Sequence, residues 1–354
     1  MSKLRLLKKD RDLSKPLEQV ELLVRASDLQ LRPEEVELRL DRFLGLHMHW
    51  RSRTSIQDLI KDGYVYVDVT SPDRPQGTGE LVQERRPGRR LRDRTRVLVV
   101  VPEELRVDLT MVVDNDLAVL YEDEDVLAVD KPPMLPVHPS GRHLADTLIQ
   151  RVHARYGADK LERESRPRLA HRIDRETSGI VLIGMHPEAH SELRRQFEQH
   201  EVGKEYLAIV RGAPQQDFGR IDDPIGSARG SAIGLKMACR PDGDEARTDW
   251  KVLERRRDCS LVHCRLFTGR QHQIRVHLES IGHPLVGDKL YGYGEHYFQK
   301  YNDGELTAED MAVLELPRQA LHHHRLTFTH PRTGQPLQIE SPLAADLAEF
   351  LAGR

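Results

Sequence analysis

Short apolar runs bounded by turn residues recur along the second two-thirds of this 354-residue chain and predict β-strands. The predicted strands cover residues 118–121, 126–129, 180–184, 205–211, 247–254, 260–267, 325–329 and 337–340. Between them the apolar spacing turns helical over 144–156, 187–200, 270–281 and 343–351. Mostly antiparallel strands with helices set into their connections predict an α+β domain. The first hundred residues follow another pattern. Leu40, Phe43 and Leu44 share one helical face, and Ile56, Leu59 and Ile60 share another behind the candidate caps Ser52, Thr54 and Ser55. Gly63 supplies a helix stop, residues 64–69 alternate as a strand, and 97–101 would close a small sheet. Residues 1–35 are charged and poorly periodic and read as an extended lead-in. The expected division is therefore an N-terminal extension (1–35), a small domain (36–101), a linker (102–116) and a large domain (117–354).

Charge changes this picture. The net charge of −3 argues against a nucleic-acid binder, but residues 1–100 carry 21 lysines and arginines against 16 acids. The remainder carries 33 against 41. Affinity for a polyanion is thus expected at the N-terminal end. Seven arginines fall within residues 85–96, opposed there only by Asp93, and they read as a flexible basic loop. Three cysteines, Cys239, Cys259 and Cys264, have no metal-ligand spacing and suggest a reducing compartment. No long apolar run or signal-peptide core is visible, so a cytoplasmic protein with no membrane partner is expected. No obligate-interface pattern stands out, and a monomer is expected.

Candidate chemistry concentrates in two arginine-rich elements. The first is His171-Arg172-Ile173-Asp174-Arg175-Glu176-Thr177-Ser178-Gly179, which sets one carboxylate between two guanidiniums at a strand–turn. Such a carboxylate is held ionised and suits a nucleophile or base. The second runs from Thr268, Gly269 and Arg270 through His272 and Gln273-Ile274-Arg275, with His283-Pro284-Leu285-Val286-Gly287-Asp288 behind it. A helix opening there would carry Arg270, His272 and Arg275 in its first turns, a favourable place for phosphate.

Together the two elements resemble the paired signatures of the Rlu-type RNA pseudouridine synthases. Asp130-Lys131-Pro132-Pro133, Val137-His138-Pro139, Lys204-Glu205-Tyr206-Leu207-Ala208, Leu321-His322-His323-His324-Arg325-Leu326 and His330-Pro331 extend the match, in order, from about Leu117 to Ile339. The helix–loop–helix–strand order near residue 40 resembles the alpha-L RNA-binding module, with Arg39, Arg42, Arg51, Arg53 and Lys61 as candidate phosphate contacts. The resemblance implies a pseudouridine synthase domain with a mixed, mainly antiparallel sheet and a central cleft, acting on structured RNA. Large-subunit ribosomal RNA is the first expectation and transfer RNA the second.

By that resemblance Asp174 is the essential carboxylate, attacking C1′ or taking the 2′ proton, and Tyr206 is the active-site tyrosine. Arg275 is the candidate partner that keeps Asp174 charged. Arg172, two residues before Asp174, is placed to insert where a flipped base has left the stack. Uridine isomerisation needs no redox partner or group donor, and the chain has neither a dinucleotide fingerprint nor metal-ligand spacing; no cofactor and no metal are expected. Consecutive His322, His323 and His324 cannot all face one ion from a strand and are expected at an edge or facing RNA. His138 and His171 are expected to support the cleft. Two other readings compete: a non-catalytic RNA-binding protein, and a hydrolase pairing Asp174 with Asp222 or Asp223. Residues 217–238 and 293–317 are expected to be the loops that choose a target.

Overall fold

Apolar side chains gather into separate cores, and the chain divides into two compact units, 1–114 with 138–150 and 115–137 with 151–354. The structure, a computed structural model, describes residues 19–29, 31–48, 53–70, 73–74, 77–100, 102, 116–138, 146–157, 166–231 and 233–354.

In the first unit β1 (Gln19–Leu23), β2 (Leu38–Arg39), α1 (Leu40–His47), α2 (Arg53–Lys61), β3 (Val65–Asp68), β4 (Leu81–Gln83), β5 (Arg90–Leu91) and β6 (Arg96–Val100) follow in order. Four strands make an antiparallel sheet ordered β1-β6-β3-β4, and β2 pairs separately with β5. Phe43, Leu44, Ile56, Leu59 and Ile60 enter one core with Val65, Val67, Val97 and Val99, so both helices bury the faces their spacing predicts. Gly63 ends α2 at φ +88°, a conformation that side chains with a Cβ resist.

Two expectations change here. β1 lies within the segment read as a lead-in, because Val20, Leu22 and Val24 alternate and cover the apolar row of β6. The basic stretch 85–96 is not a free loop: it contains β5 and the start of β6. Its charges are answered from outside the stretch, with Arg86 on Glu84 and Arg96 on Glu21. Asp93 instead accepts the Ala26 backbone N–H at 2.7 Å.

The second unit is built on ten strands: β7 (Ala118–Glu122), β8 (Val126–Lys131), β9 (Arg168–Leu169), β10 (Ser178–Gly184), β11 (Gly203–Arg211), β12 (Phe218–Ile221), and, after the separate hairpin β13 (Ile225–Ser227) and β14 (Met237–Cys239), β15 (Thr248–Arg255), β16 (Cys259–Leu266), β17 (Leu321–Thr329) and β18 (Pro336–Glu340). The main path is β12-β15-β16-β11-β17-β10-β8-β7, with β18 beside β17 and β9 beside β10. The helices in this part of the chain are α3 (Leu148–Arg155), α4 (Pro187–Glu198), α5 (Gln273–Ser280), α6 (Glu295–Asp303), α7 (Ala308–Leu314) and α8 (Ala345–Ala352). The mainly antiparallel α+β expectation therefore holds. The segments read as target-choosing loops are partly ordered, into β12–β14 and into α6 and α7; α7 starts at a Thr307/Asp310 capping box.

One junction differs from the rest. β10 and β17 run parallel, with Ser178 opposite His322 and Gly179 opposite His323. Because they are parallel, the loops entering both strands emerge at the same end. Gly179 sits there at φ +106°, and a Cβ on it would lie 2.3 Å from the His323 carbonyl oxygen. Only glycine permits that approach.

Candidate active site

The loop 170–177 enters β10 and carries Asp174, and Gln319 stands just before β17. The parallel junction brings them together: Gln319 Nε2 donates to Asp174 Oδ2 at 3.2 Å and to Thr177 Oγ1 at 2.8 Å. α5 lies on the sheet face that bears Tyr206, with Ile274 and Leu278 in one core with Tyr206, Ala208, Val262 and Trp250. That seat delivers Arg275 to the same place, and its Nη1 donates to Asp174 Oδ2 at 2.8 Å.

Arg275 is itself held rigidly. Its Nε and Nη2 grip Asp288 at 2.6 and 2.9 Å, and its guanidinium lies 4.9 Å from the Tyr291 ring centroid. Asp288 is fully buried and also accepts the backbone N–H groups of Leu290 and Tyr291. Two of three guanidinium nitrogens are thus committed, and the third is aimed at Asp174. Burial alone would push the Asp174 carboxyl up. The Arg275 charge, with hydrogen bonds from Gln319 and Arg275, outweighs it and holds the group below the ordinary carboxylate value. Asp174 nonetheless keeps 35% of its side-chain surface exposed, so the carboxylate is both charged and reachable.

Asp174, Thr177 and Arg275 line a cavity of about 410 Å³ together with Arg172, Lys204, Tyr206, Arg270 and His272. A β-bulge between Glu205 and Tyr206 shifts the β11–β17 register where Tyr206 sits. The Tyr206 ring stacks on His323, with centroids 4.3 Å apart and planes 10° apart. Burial, reinforced by the Asp174 charge, raises the phenol far above its ordinary range, so it stays protonated. His171 stacks on Phe197 and accepts the Leu182 backbone N–H; burial lowers it to about 3 and keeps it neutral.

Beneath Asp174 three buried cations pin the loop. Lys131 Nζ donates to the Arg175 carbonyl at 3.0 Å and Arg318 Nη1 to the Glu176 carbonyl at 3.2 Å. Lys289 Nζ pairs with Glu176 Oε2 at 2.9 Å. From above, Arg175 donates to the Tyr301 hydroxyl on α6. Of these, only Arg175 stands out in the sequence, as a flanking charge; Asp288 and Lys131 lie in matched motifs that assign them no role.

The structure thus brings Asp174, Tyr206, Arg275, Arg172, Arg270 and His272 to one cavity, as the sequence motifs imply. It changes details of the second element. α5 begins only at Gln273, after His272 takes a left-handed conformation at φ 57°, so Arg270 and His272 precede the helix rather than occupy its first turns. The Arg270 backbone N–H is already spent on Gln273 Oε1 at 3.0 Å. Burial lowers His272 to about 4, and this neutral ring shares a hydrogen bond with the Tyr291 hydroxyl.

The histidine run is corrected as well. His322 and His323 are fully buried on a central strand, bonded to Ser178 Oγ and to the Ile180 carbonyl, because β17 lies between β11 and β10 rather than at an edge. Asp222 and Asp223 do not line the cavity: Asp222 pairs with Arg247, and the Asp223 carbonyl receives His277. That removes the paired acid the hydrolase reading requires. In the first unit Arg39 forms a two-pronged bond to buried Asp41, so it is a structural link as well as a surface charge. Arg42 and Lys61 are exposed. Arg51 and the side chain of Arg53 lie outside the described residues.

Residues 125–280 match the family described as RNA pseudouridylate synthase. The chain is 36% identical over 325 residues to an RNA pseudouridine synthase of Bacillus subtilis, spanning 92% of this chain and 96% of that protein. A protein of Nitrosomonas europaea named ribosomal large subunit pseudouridine synthase D is 37% identical over 316 residues, covering 89% and 83%. Among solved structures, human RNA pseudouridylate synthase domain containing 1 superposes with a TM-score of 0.53 at 26% identity, over 67% of this chain and 88% of that one.

Proposed function

This chain belongs to the RNA pseudouridylate synthase family, and from that premise we propose that it isomerises uridines of large-subunit ribosomal RNA, with Asp174 as the reacting carboxylate. The observation that carries the assignment of Asp174 is the 2.8 Å bond from an Arg275 already fixed by Asp288. The choice of RNA is supported by the names of relatives such as the Nitrosomonas europaea protein. The reaction is redox-neutral and needs no group donor, which supports a protein that works without a cofactor.

The uridine must leave its stack to be reached, at a cost of a few kcal/mol. Arg172, exposed at the cavity rim, is suited to fill the vacated space, because a guanidinium is planar and weakly hydrated. Asp174 attacks C1′ or removes the 2′ proton, and either step needs the ionised form that Arg275 favours. After the N1–C1′ bond breaks and the base turns, C5 joins C1′ and must lose a proton. Tyr206 has one ring face against His323 and its hydroxyl protonated, so it orients the uracil and relays the C5 proton by taking it up as its own proton leaves, with the Asp174 carboxylate, regenerated when C5 joins C1′, as the acceptor. The first unit grips RNA through Arg42, Lys61 and the arginines of the 85–96 stretch.

Tritium release from RNA labelled at uridine C5 tests this reading. Wild type is expected to release label, and Asp174→Asn to lose at least about four orders of magnitude in rate. The variant should still bind the RNA within about threefold. Turnover by Asp174→Asn comparable to wild type would refute the role given to this carboxylate.

A further inference from the structure

One charged group at the cavity has no counterpart in the chemistry just described. Lys204, two residues before Tyr206 on β11, is 7% exposed and lines the same cavity. Residues i and i+2 of a strand share a face, with Cα atoms about 6.5 Å apart. Lys204 therefore stands beside Tyr206 on the cavity side, where its charge is felt by the His171 and His323 rings. A Cβ placed on Gly269 would lie 4.0 Å from its Nζ, so the ammonium lies near the turn that leads to Arg270.

A buried lysine is normally paired. Among the described residues Lys204 makes no ion pair and no side-chain hydrogen bond. The two acids of the cavity are already engaged: Asp174 with Arg275, and Glu198 with Arg194 at 2.8 Å. Arg172, Lys204 and Arg270 remain as positive charge lining the space. Burial depresses the Lys204 ammonium with no opposing carboxylate to hold it up. An anion entering the cavity would offset that cost, and the substrate brings its own anions to this spot. The extruded nucleotide has a phosphodiester on each side of its sugar, within a few ångströms of the C1′ that Asp174 addresses.

We propose that Lys204 binds a phosphodiester oxyanion of the extruded nucleotide, anchoring its sugar while the base is detached and turned. The proposal rests on the reading that uridine in RNA is the substrate. It gives a reason for the cation to lie two residues from the tyrosine: one side chain holds the base, the next holds the backbone, and the free uracil turns against a fixed ribose. A charge-assisted bond of this kind corresponds to roughly a tenfold to hundredfold effect on kcat/KM.

The test compares wild type and Lys204→Gln on three RNAs: one unmodified, and two with a neutral methylphosphonate replacing the linkage 5′ or 3′ of the target uridine. Tritium release from the unmodified RNA by wild type checks the activity itself; its absence would refute the underlying function and not this residue alone. Given that release, wild type should lose about tenfold or more in kcat/KM on one of the two neutral linkages. Lys204→Gln should show the same loss on unmodified RNA and no further loss on that neutral linkage, while Lys204→Arg keeps most of the rate. A lysine that only supports the fold would give losses that multiply. Multiplying losses, or full wild-type activity on both neutral linkages, would overturn the proposal. Should Lys204→Gln fail to fold, the wild-type comparison on the two neutral linkages decides alone.

Discussion

Cationic side chains are abundant both in the 85–96 stretch of the first unit, where all are arginines, and around the 174–177 loop of the second, but they do different work. In the first unit Arg86 pairs with Glu84 while its side chain stays 72% exposed, and Arg85 donates to the Lys61 carbonyl from the surface. The cations beneath Asp174 are buried. Arg318 and Lys131 are among the largest fully buried side chains, and each ends on a carbonyl of the loop they support. Solvated guanidiniums keep most of their hydration and can exchange partners with a polyanion. Dry ones fix backbone to within a fraction of an ångström, and losing one strands its partner. Burial, more than residue type, separates a grip from a scaffold.

The contrast is tested hardest at Arg275. Arg275→Met leaves Asp288 buried without its counter-charge and Asp174 without its guanidinium. Stability is expected to fall by about 3–5 kcal/mol in chemical denaturation, and tritium release by at least about a thousandfold. A variant as stable as wild type would show that the Asp288–Arg275–Asp174 chain is not a scaffold.

A second test uses pH. The Asp174 carboxyl is held below its ordinary value of 3.8. Its contribution to stability is therefore present above the unfolded pKa and disappears as pH falls through the folded one. The acid limb of kcat/KM should accordingly lie below the usual carboxylate range, with a flat profile between about pH 5 and 6. An acid limb near 6 would assign the essential ionisation to another group.

Lys131 gives a smaller effect of known sign. Burial, with the charge of Arg318, lowers its ammonium to about 7. Between that value and the unfolded value of about 10.4 the unfolded chain holds the extra proton, so stability rises with pH, by at most about 1.4 kcal/mol per unit. Lys131→Met should remove that rise from denaturation measured between pH 7 and 10. An unchanged slope would mean that the lysine does not titrate in this window.

The smallest change in stability is expected for Arg85→Ala, Arg86→Ala and Arg90→Ala combined, about 0.5 kcal/mol per site or less. RNA affinity should nevertheless fall, and the slope of log affinity against log salt should flatten by up to about 0.9 for each phosphate no longer neutralised. Unchanged salt dependence would remove these three arginines from RNA binding.

How much of this is legible in the sequence depends on range. Periodicity locates the strands β3, β6–β8, β10, β11 and β15–β18 and the helices α1, α2, α4 and α8 to within a few residues, because their apolar faces report local burial; the short strands β2, β4, β5, β9 and β12–β14 carry too few alternating residues to be read. The two arginine-rich elements and the strand motif around Tyr206 identify Asp174, Tyr206 and Arg275 because each matched motif is contiguous in sequence. β1 escapes notice although Val20, Leu22 and Val24 alternate, since the charged residues around them mask a period of two. α6 and α7 escape notice because their apolar faces are narrow: no residue of α6 is fully buried. The placing of Lys131, Lys289 and Arg318 under the loop is not readable at all. Their partners are carbonyls and a glutamate up to 142 residues away, and nothing in a local pattern says that a lysine will be buried.

The parallel seam between β10 and β17 has a consequence for when reactivity arises. Its partners Ser178 and His322 lie 144 positions apart, and contacts that distant form late, because a long intervening length must first be ordered. Until the seam closes, Gln319 cannot reach Asp174. A nascent or half-collapsed polypeptide therefore holds every reactive atom yet has no working centre, and the capacity to modify RNA becomes a property of the finished molecule.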